Sequence, residues 1–236
     1  MFIMKKFIFA AVSALFVFGA TASAQFMNSS SSGSAPSNSS ETIFNTFDFT
    51  YSPVTMKSIE DDDTATEDLN AISLNWNQAR VLTDNLPVYL TYGAGLQYAW
   101  KTDSRSSDGY KMSSTVSFLT LKVPVSVMYN LNIPNTALNL MPYVGLNVQG
   151  HLLGQQKYTA KYDGESESET INFFSEDDMD EAKLNRFVLG WQIGAKIAYD
   201  RYFFGVAYDG PVTNLFKEGD FKINTSQVNL SIGIRF

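Results

Sequence analysis

The 236-residue sequence has no cysteine, a single histidine (His151) and no apolar run of 18 residues. Without cysteine there is no disulfide scaffold, no thiolate metal site and no lipid-modified cysteine at a processed N-terminus. Without a long apolar run there is no membrane-spanning helix, which needs about 20 apolar residues. Basic residues are also scarce, 17 against 24 acidic ones. Nucleic acid is excluded as a partner on that ground, because neutralising phosphates requires a basic face. No cofactor is expected.

The first residues, MFIMKKFIFAAVSALFVFGATASAQ, place Lys5 and Lys6 before a 14-residue apolar run from Phe7 to Ala20, followed by Ala22-Ser23-Ala24. That order is expected of an export signal spanning 1–24, cleaved after Ala24. Losing Lys5 and Lys6 leaves 15 basic against 24 acidic residues, a net charge of −9. The stretch NSSSSGSAPSNSS marks residues 25–42 as a flexible linker, too polar to offset the entropy of ordering it. A folded domain over 43–236 is expected.

From residue 43 onward apolar residues recur at every second position, as in Phe47, Phe49, Tyr51 and in Val88, Leu90, Tyr92, Ala94, Leu96, Tyr98, Trp100. Eight such stretches occur, the last being Val228, Leu230, Ile232, Ile234, Phe236. Alternation at this period is the signal of strands with one apolar face. The joins at about 81–87, 130–140 and 200–201 are short and rich in turn residues, whereas those at about 56–69, 102–114, 154–184 and 214–225 are long and polar. The pattern predicts an all-β fold, an eight-stranded antiparallel up-and-down transmembrane β-barrel with short turns at one end and long loops at the other.

Positions between the apolar ones are polar or glycine, for example Gly93, Gly95, Gln97 and Gln227, Asn229, Ser231. Alternation alone does not say which set faces out, and a soluble lipocalin-like barrel that binds a ligand is the rival. Aromatic residues at the ends of the apolar stripes, Trp100, Tyr129, Tyr199 and Tyr208, favour a girdle at a lipid boundary. Inside an eight-stranded barrel there is little room beyond side chains. Lys122, Lys196 and Arg235 then require partners, for which Asp48 and Asp209 share the inward parity, and His151 joins them in an interior polar cluster. Pro124, within a strand, predicts a bulge.

The segments LTLKVPVSVMYNLN, LMPYVGLNVQG, IGAKIAYDRYFFGVAYDG and the closing LSIGIRF resemble, in their order and spacing, the small outer-membrane β-barrel family of Gram-negative bacteria, porin-like and OmpA/OmpX-like. The resemblance spans about 43–236. It implies an outer-membrane protein with periplasmic termini and extracellular loops, held by outer-membrane lipid and recognised by the barrel-insertion machinery through the terminal strand ending at Phe236. It implies no catalytic residue.

The acidic charge is concentrated in two loops. Residues 56–69, with Glu60, Asp61, Asp62 and Asp63, carry net −5; residues 158–183, with Glu176, Asp177, Asp178, Asp180 and Glu181, carry net −7. Clustered carboxylates suit a divalent cation or a basic extracellular partner, and equally a solvated surface. Neither cluster has the spacing of an EF-hand loop. The expectation is a monomeric, non-enzymatic barrel with a structural or surface-interaction role. A narrow passive channel lined by glycines is the alternative, followed by a lipid-modifying enzyme built on His151.

Overall fold

A computed structural model describes residues 42–60, 63–83, 86–107, 110–162, 165–175, 184–218 and 221–236. The expected export signal and linker lie outside these residues apart from residue 42, as do Asp61, Asp62, Glu176, Asp177, Asp178, Asp180 and Glu181. The described chain forms eleven strands. These are β1 (Ile43–Glu60), β2 (Asp63–Thr83), β3 (Leu86–Ser107), β4 (Tyr110–Tyr129), β5 (Leu131–Asn132), β6 (Leu138–Tyr162), β7 (Glu165–Asn172), β8 (Phe187–Tyr199), β9 (Tyr202–Pro211), β10 (Phe216–Glu218) and β11 (Phe221–Arg235).

Eight of them make a closed antiparallel ring in the order β1-β2-β3-β4-β6-β8-β9-β11, sealed by β1 pairing with β11 from Thr46↔Arg235 to Ile59↔Lys222. Closure removes the free sheet edges that a lipid environment, offering no hydrogen bonds, does not tolerate. The alternating pattern resolves as expected. Phe47, Phe49 and Tyr51 are 43%, 44% and 40% exposed on the outer wall, whereas Asp48, Thr50 and Ser52 between them are buried inside. The two-residue turn between β8 and β9 brings Tyr199 opposite Tyr202, with Asp200 at φ 54, a left-handed conformation that Asp tolerates better than most residues.

Three expectations need correcting. The long polar joins are mostly strand, with pairing that runs out to Glu60↔Asp63, Ser107↔Tyr110 and Tyr162↔Glu165. The polar stretches lack apolar alternation because both faces are wet, yet the ladder hydrogen bonds continue through them. Second, Pro124 produces no bulge. It stays in register opposite Asn147, and the β3–β4 ladder merely skips Gly93 and Ala94. The register shift lies at Leu119/Thr120, where Leu119 pairs with Leu153 and Thr120 with His151, so that Leu152 is the extra residue. As a result Leu153, not Leu152, continues the outer apolar row. Third, the interior is not uniformly polar, as described below.

At the end opposite the short turns the wall divides. Pairing between β2 and β3 stops at Asn70↔Trp100, and pairing between β6 and β8 stops at Gly150↔Phe187. Beyond those points β10, β11, β1 and β2 continue as one four-stranded sheet, the first blade, and β3, β4, β6 and β7 as another, the second blade. At their root Lys101 Nζ lies 3.6 Å from Glu67 Oε2, an exposed pair across the division.

Candidate functional site: the lumen and the two blades

Inward-facing residues fill the barrel in layers. At the short-turn end Phe44, Ala79, Tyr89, Met128, Met141, Ala198 and Phe203 form an apolar plug in which Tyr89 and Met141 are each 1% exposed. The ring of Phe44 meets that of Tyr89 edge-on at 5.3 Å. Two of the predicted interior cations lean on this plug. The Arg235 guanidinium sits 5.0 Å from the Phe44 ring centre, and the Lys196 ammonium 4.7 Å from that of Phe203 and 5.8 Å from that of Tyr143. Such contacts stabilise a cation that has left bulk water.

Above the plug is a cavity of about 100 Å³, lined among others by Asp48, Lys122, Tyr143, Lys196 and Asp209. Asp48 accepts hydrogen bonds from Thr50 Oγ1 at 2.9 Å and Asn75 Nδ2 at 2.7 Å. At mid-height two bonds cross the lumen. Lys122 Nζ donates to Asp209 Oδ2 at 2.6 Å, and Gln97 Nε2 donates to Gln227 Oε1 at 3.1 Å. Gln227 Nε2 also donates to Asp209 Oδ2 at 3.0 Å, so the two crossings are joined.

The far side of this crossbar is a smaller chamber of about 30 Å³ that contains His151 and shares Asp209 with the first. His151 Nδ1 is 2.9 Å from Thr120 Oγ1, and its ring packs against Phe118 and stacks on Phe174. The Arg186 guanidinium covers the other ring, 4.7 Å from the centre of Phe174. A second apolar cluster, Val54, Leu69, Ala71, Ala99 and Phe118 with Phe173 and Leu184 packed on it, fills the mouth. Of the six interior residues read from the sequence, Lys122 and Asp209 pair directly, Asp48 and Lys196 line the same cavity, and His151 stands in the chamber beyond. Arg235 lies beside the plug and lines neither space.

The inward glycines do not hold open a conduit. A Cβ at Gly95 would lie 2.1 Å from Asn75 Oδ1, and one at Gly233 would lie 2.6 Å from the ring of Phe203. Neighbouring side chains occupy the space that the glycines leave.

The predicted acidic patch is only partly described. Glu60 and Asp63 face each other at the exposed tip of β1 and β2. Among the described residues no group of three or more acidic or histidine side chains is placed to hold a metal ion. The sequence reading missed how charge is distributed on the second blade, where the described acids all lie on one face, with Lys101 and Arg105 of β3 beside them, and the other face carries lysines alone. On the face continuous with the lumen, Glu165, Glu167 and Glu169 of β7 stand opposite Tyr162, Ala160 and Tyr158 of β6, and Tyr162 pairs in turn with Tyr110 of β4, their rings 6.4 Å apart. Met112 shares that face and is 50% exposed. The opposite face carries Lys111, Lys157 and Lys161 among serines and threonines. The signal was there in the period-2 run ESESE, read as loop because its alternation is of charge and not of apolarity.

Several solved structures are distantly similar to the chain. The attachment invasion locus protein Ail of Yersinia pestis is 14% identical, with a TM-score of 0.41, covering 83% of this chain and 100% of that one. OprG of Pseudomonas aeruginosa is 11% identical, with a TM-score of 0.37, covering 82% and 95%. The outer membrane enzyme PagL is 11% identical, with a TM-score of 0.33, covering 76% and 97%. No match was found among curated proteins. Residues 85–217, more than half the chain, match the family described as outer membrane protein beta-barrel domain. The closed eight-stranded ring, the apolar outer wall and this match place the chain in that family, as an outer-membrane β-barrel.

Proposed function

We propose that the barrel is a non-enzymatic scaffold that displays the two blades outside the cell, and that the lumen-side face of the second blade contacts a basic partner. The carrying observation is the row Glu165, Glu167, Glu169 set against exposed Tyr110, Tyr158 and Tyr162. Carboxylates attract lysine and arginine side chains, and tyrosines add rigid contact area with cation–π attraction. A divalent cation is the other ligand this chemistry admits. In this reading residues 1–24 direct export, the terminal strand ending at Phe236 is recognised by the insertion machinery, both mature termini are periplasmic, and the barrel works as a monomer.

The lumen supports a role outside transport and catalysis. Apolar clusters fill both ends, the crossbar divides the middle, and His151 is hydrogen-bonded to a hydroxyl beneath two phenylalanine rings.

Because the native chain has no cysteine, Ser168→Cys gives a unique label site on the blade. A membrane-impermeant maleimide should label it in intact cells; labelling only after the outer membrane is opened would reverse the orientation. Binding is tested on the full chain folded in phosphatidylcholine vesicles and titrated with a fluorescent lysine-rich peptide. E165Q/E167Q/E169Q should weaken binding by about tenfold or more, taking each exposed charge pair at roughly 0.5–1 kcal/mol. Unchanged affinity would remove the acidic row from the binding surface.

A further inference from the structure

The lysine face of the second blade is a direct upward continuation of the lipid-facing wall. Leu119 and Leu153 are opposite each other in the outer apolar row, and the same parity on the same two strands leads to Thr115 opposite Lys157 and then to Lys111 opposite Lys161. On the flanking strands this face shows Thr102 and Ser106 of β3 and Ser166, Ser168 and Thr170 of β7. It bears no carboxylate among the described residues, since Asp103, Glu165, Glu167 and Glu169 all have the other parity. None of the three exposed lysines forms an ion pair among the described residues.

In a protein with net charge −7, three lysines and a field of hydroxyls on one sheet face, with every described acid of the blade turned away, form a surface of one sign. Lys111 directly opposite Lys161 is destabilising by itself, since like charges across a strand pair repel. An anion lying between them would turn that repulsion into attraction on both sides.

We propose that this face binds the phosphate groups of the glycolipid that surrounds the barrel in the outer leaflet. The heights fit a phosphorylated glycolipid. Lys157 is four residues beyond Leu153, roughly 13 Å along the strand and roughly 10 Å above it at a tilt near 45°, the level of headgroup phosphates. Lys111 and Lys161 lie four residues further, roughly another 10 Å out, where sugar-borne phosphates of a glycolipid reach and the headgroup of a simple phospholipid does not. The serine and threonine hydroxyls between the lysines supply hydrogen bonds to phosphate and sugar oxygens.

This assignment rests on the proposed orientation, with the blades on the outer-leaflet side, but its test does not. The full chain is folded in phosphatidylcholine vesicles containing a small fraction of fluorescent rough-type lipopolysaccharide, either phosphorylated or dephosphorylated, and co-purified lipid is measured. Folding of every variant is confirmed by its heat-dependent gel mobility. The wild-type chain should enrich the phosphorylated form and lose that enrichment in high salt. K157S, and separately K111S/K161S, should reduce it by about fivefold per lysine, the effect of one lysine at an anionic lipid surface. E165Q/E167Q/E169Q, which tests the opposite face, should not reduce it. Equal retention of both lipid forms, or undiminished enrichment in the folded lysine variants, would overturn the proposal whatever the fate of the acidic-face reading.

Discussion

Lys122 and Asp209 come from strands three places apart around the ring, and their side chains meet across the lumen at 2.6 Å, 11% and 4% exposed respectively. Each charge has lost most of its water, and each depends on the other for compensation. Gln227 supplies one further hydrogen bond to the same carboxylate oxygen. The pair ties opposite walls together at mid-height, so its energetics are those of a buried ion pair.

Removing one partner of such a pair strands the other, at a cost of about 3–5 kcal/mol, while replacing both by apolar side chains is often close to neutral. Asp209→Leu and Lys122→Met should therefore each lower the free energy of unfolding by roughly that amount, measured by reversible urea unfolding in lipid vesicles. The combined Lys122→Met/Asp209→Leu variant should lose less than either single one. Additive losses in this double-mutant cycle would mean that the two groups are not energetically coupled.

A second prediction concerns the outer wall. Gly210 pairs with Trp191, and a Cβ placed on it would lie 2.4 Å from indole Cε2 and 2.5 Å from Nε1. The indole thus covers the glycine and packs on Tyr208 with ring centres 5.3 Å apart. Gly210→Ala should push the indole away, costing about 1–3 kcal/mol as overpacking does. In a background with Trp76 and Trp100 replaced by phenylalanine, the emission of Trp191 should shift. An unchanged spectrum and stability would show that the indole has another low-energy position.

How much of this could be read in the sequence depends on where water is. Where one face meets lipid and the other the lumen, apolar and polar residues must alternate, and the eight strands of the ring are legible from Phe47 to Ile234. In the blades both faces are wet, so hairpins such as Lys157–Tyr162 with Glu165–Thr170 are written in Ser, Thr, Lys and Glu and read as loop. The plug at the short-turn end is hidden for a different reason. Phe203, pointing in, adjoins Tyr202 and Phe204, pointing out, and a continuous aromatic run carries no alternation to betray the inward member. The bulge at Leu152 leaves no sequence mark either, because His151-Leu152-Leu153 fits the outer row equally well in two registers. Lys122 with Asp209 was recoverable because buried charges demand partners and few inward carboxylates exist.

A third prediction follows from the layered lumen. With apolar clusters at both ends and the crossbar between them, the wild-type chain should show no discrete conductance steps in a planar bilayer. Trimming the crossbar alone, with K122A/D209A/Gln97→Ala, should leave the barrel silent, because the apolar clusters still seal both ends. Opening a path for small ions should require both seals to go as well, with Tyr89→Ala and Phe203→Ala at the short-turn end and Leu69→Ala and Phe118→Ala at the mouth. Steps already present in the wild-type protein would identify it as a passive channel.

The last prediction separates barrel from blade. Lys157 and Thr170 are cross-strand partners in the β6–β7 hairpin, so residues 158–169 can be replaced by an Asn-Gly turn without changing the register below them. The hairpin removed is mostly exposed, and it carries neither the crossbar nor either apolar cluster. Stability of exposed ladder is low compared with that of the buried interior, so the shortened chain should unfold within about 1 kcal/mol of the wild type in vesicles and keep its heat-dependent gel mobility. It should nevertheless lose lysine-rich peptide binding, since Glu165, Glu167, Glu169, Tyr158 and Tyr162 go together, and part of the lipopolysaccharide enrichment with Lys161. A chain that no longer folds would make the hairpin part of the barrel's cooperative unit, whereas a folded chain with undiminished peptide binding would move the contact surface to the first blade, where Glu60 and Asp63 meet at the tip.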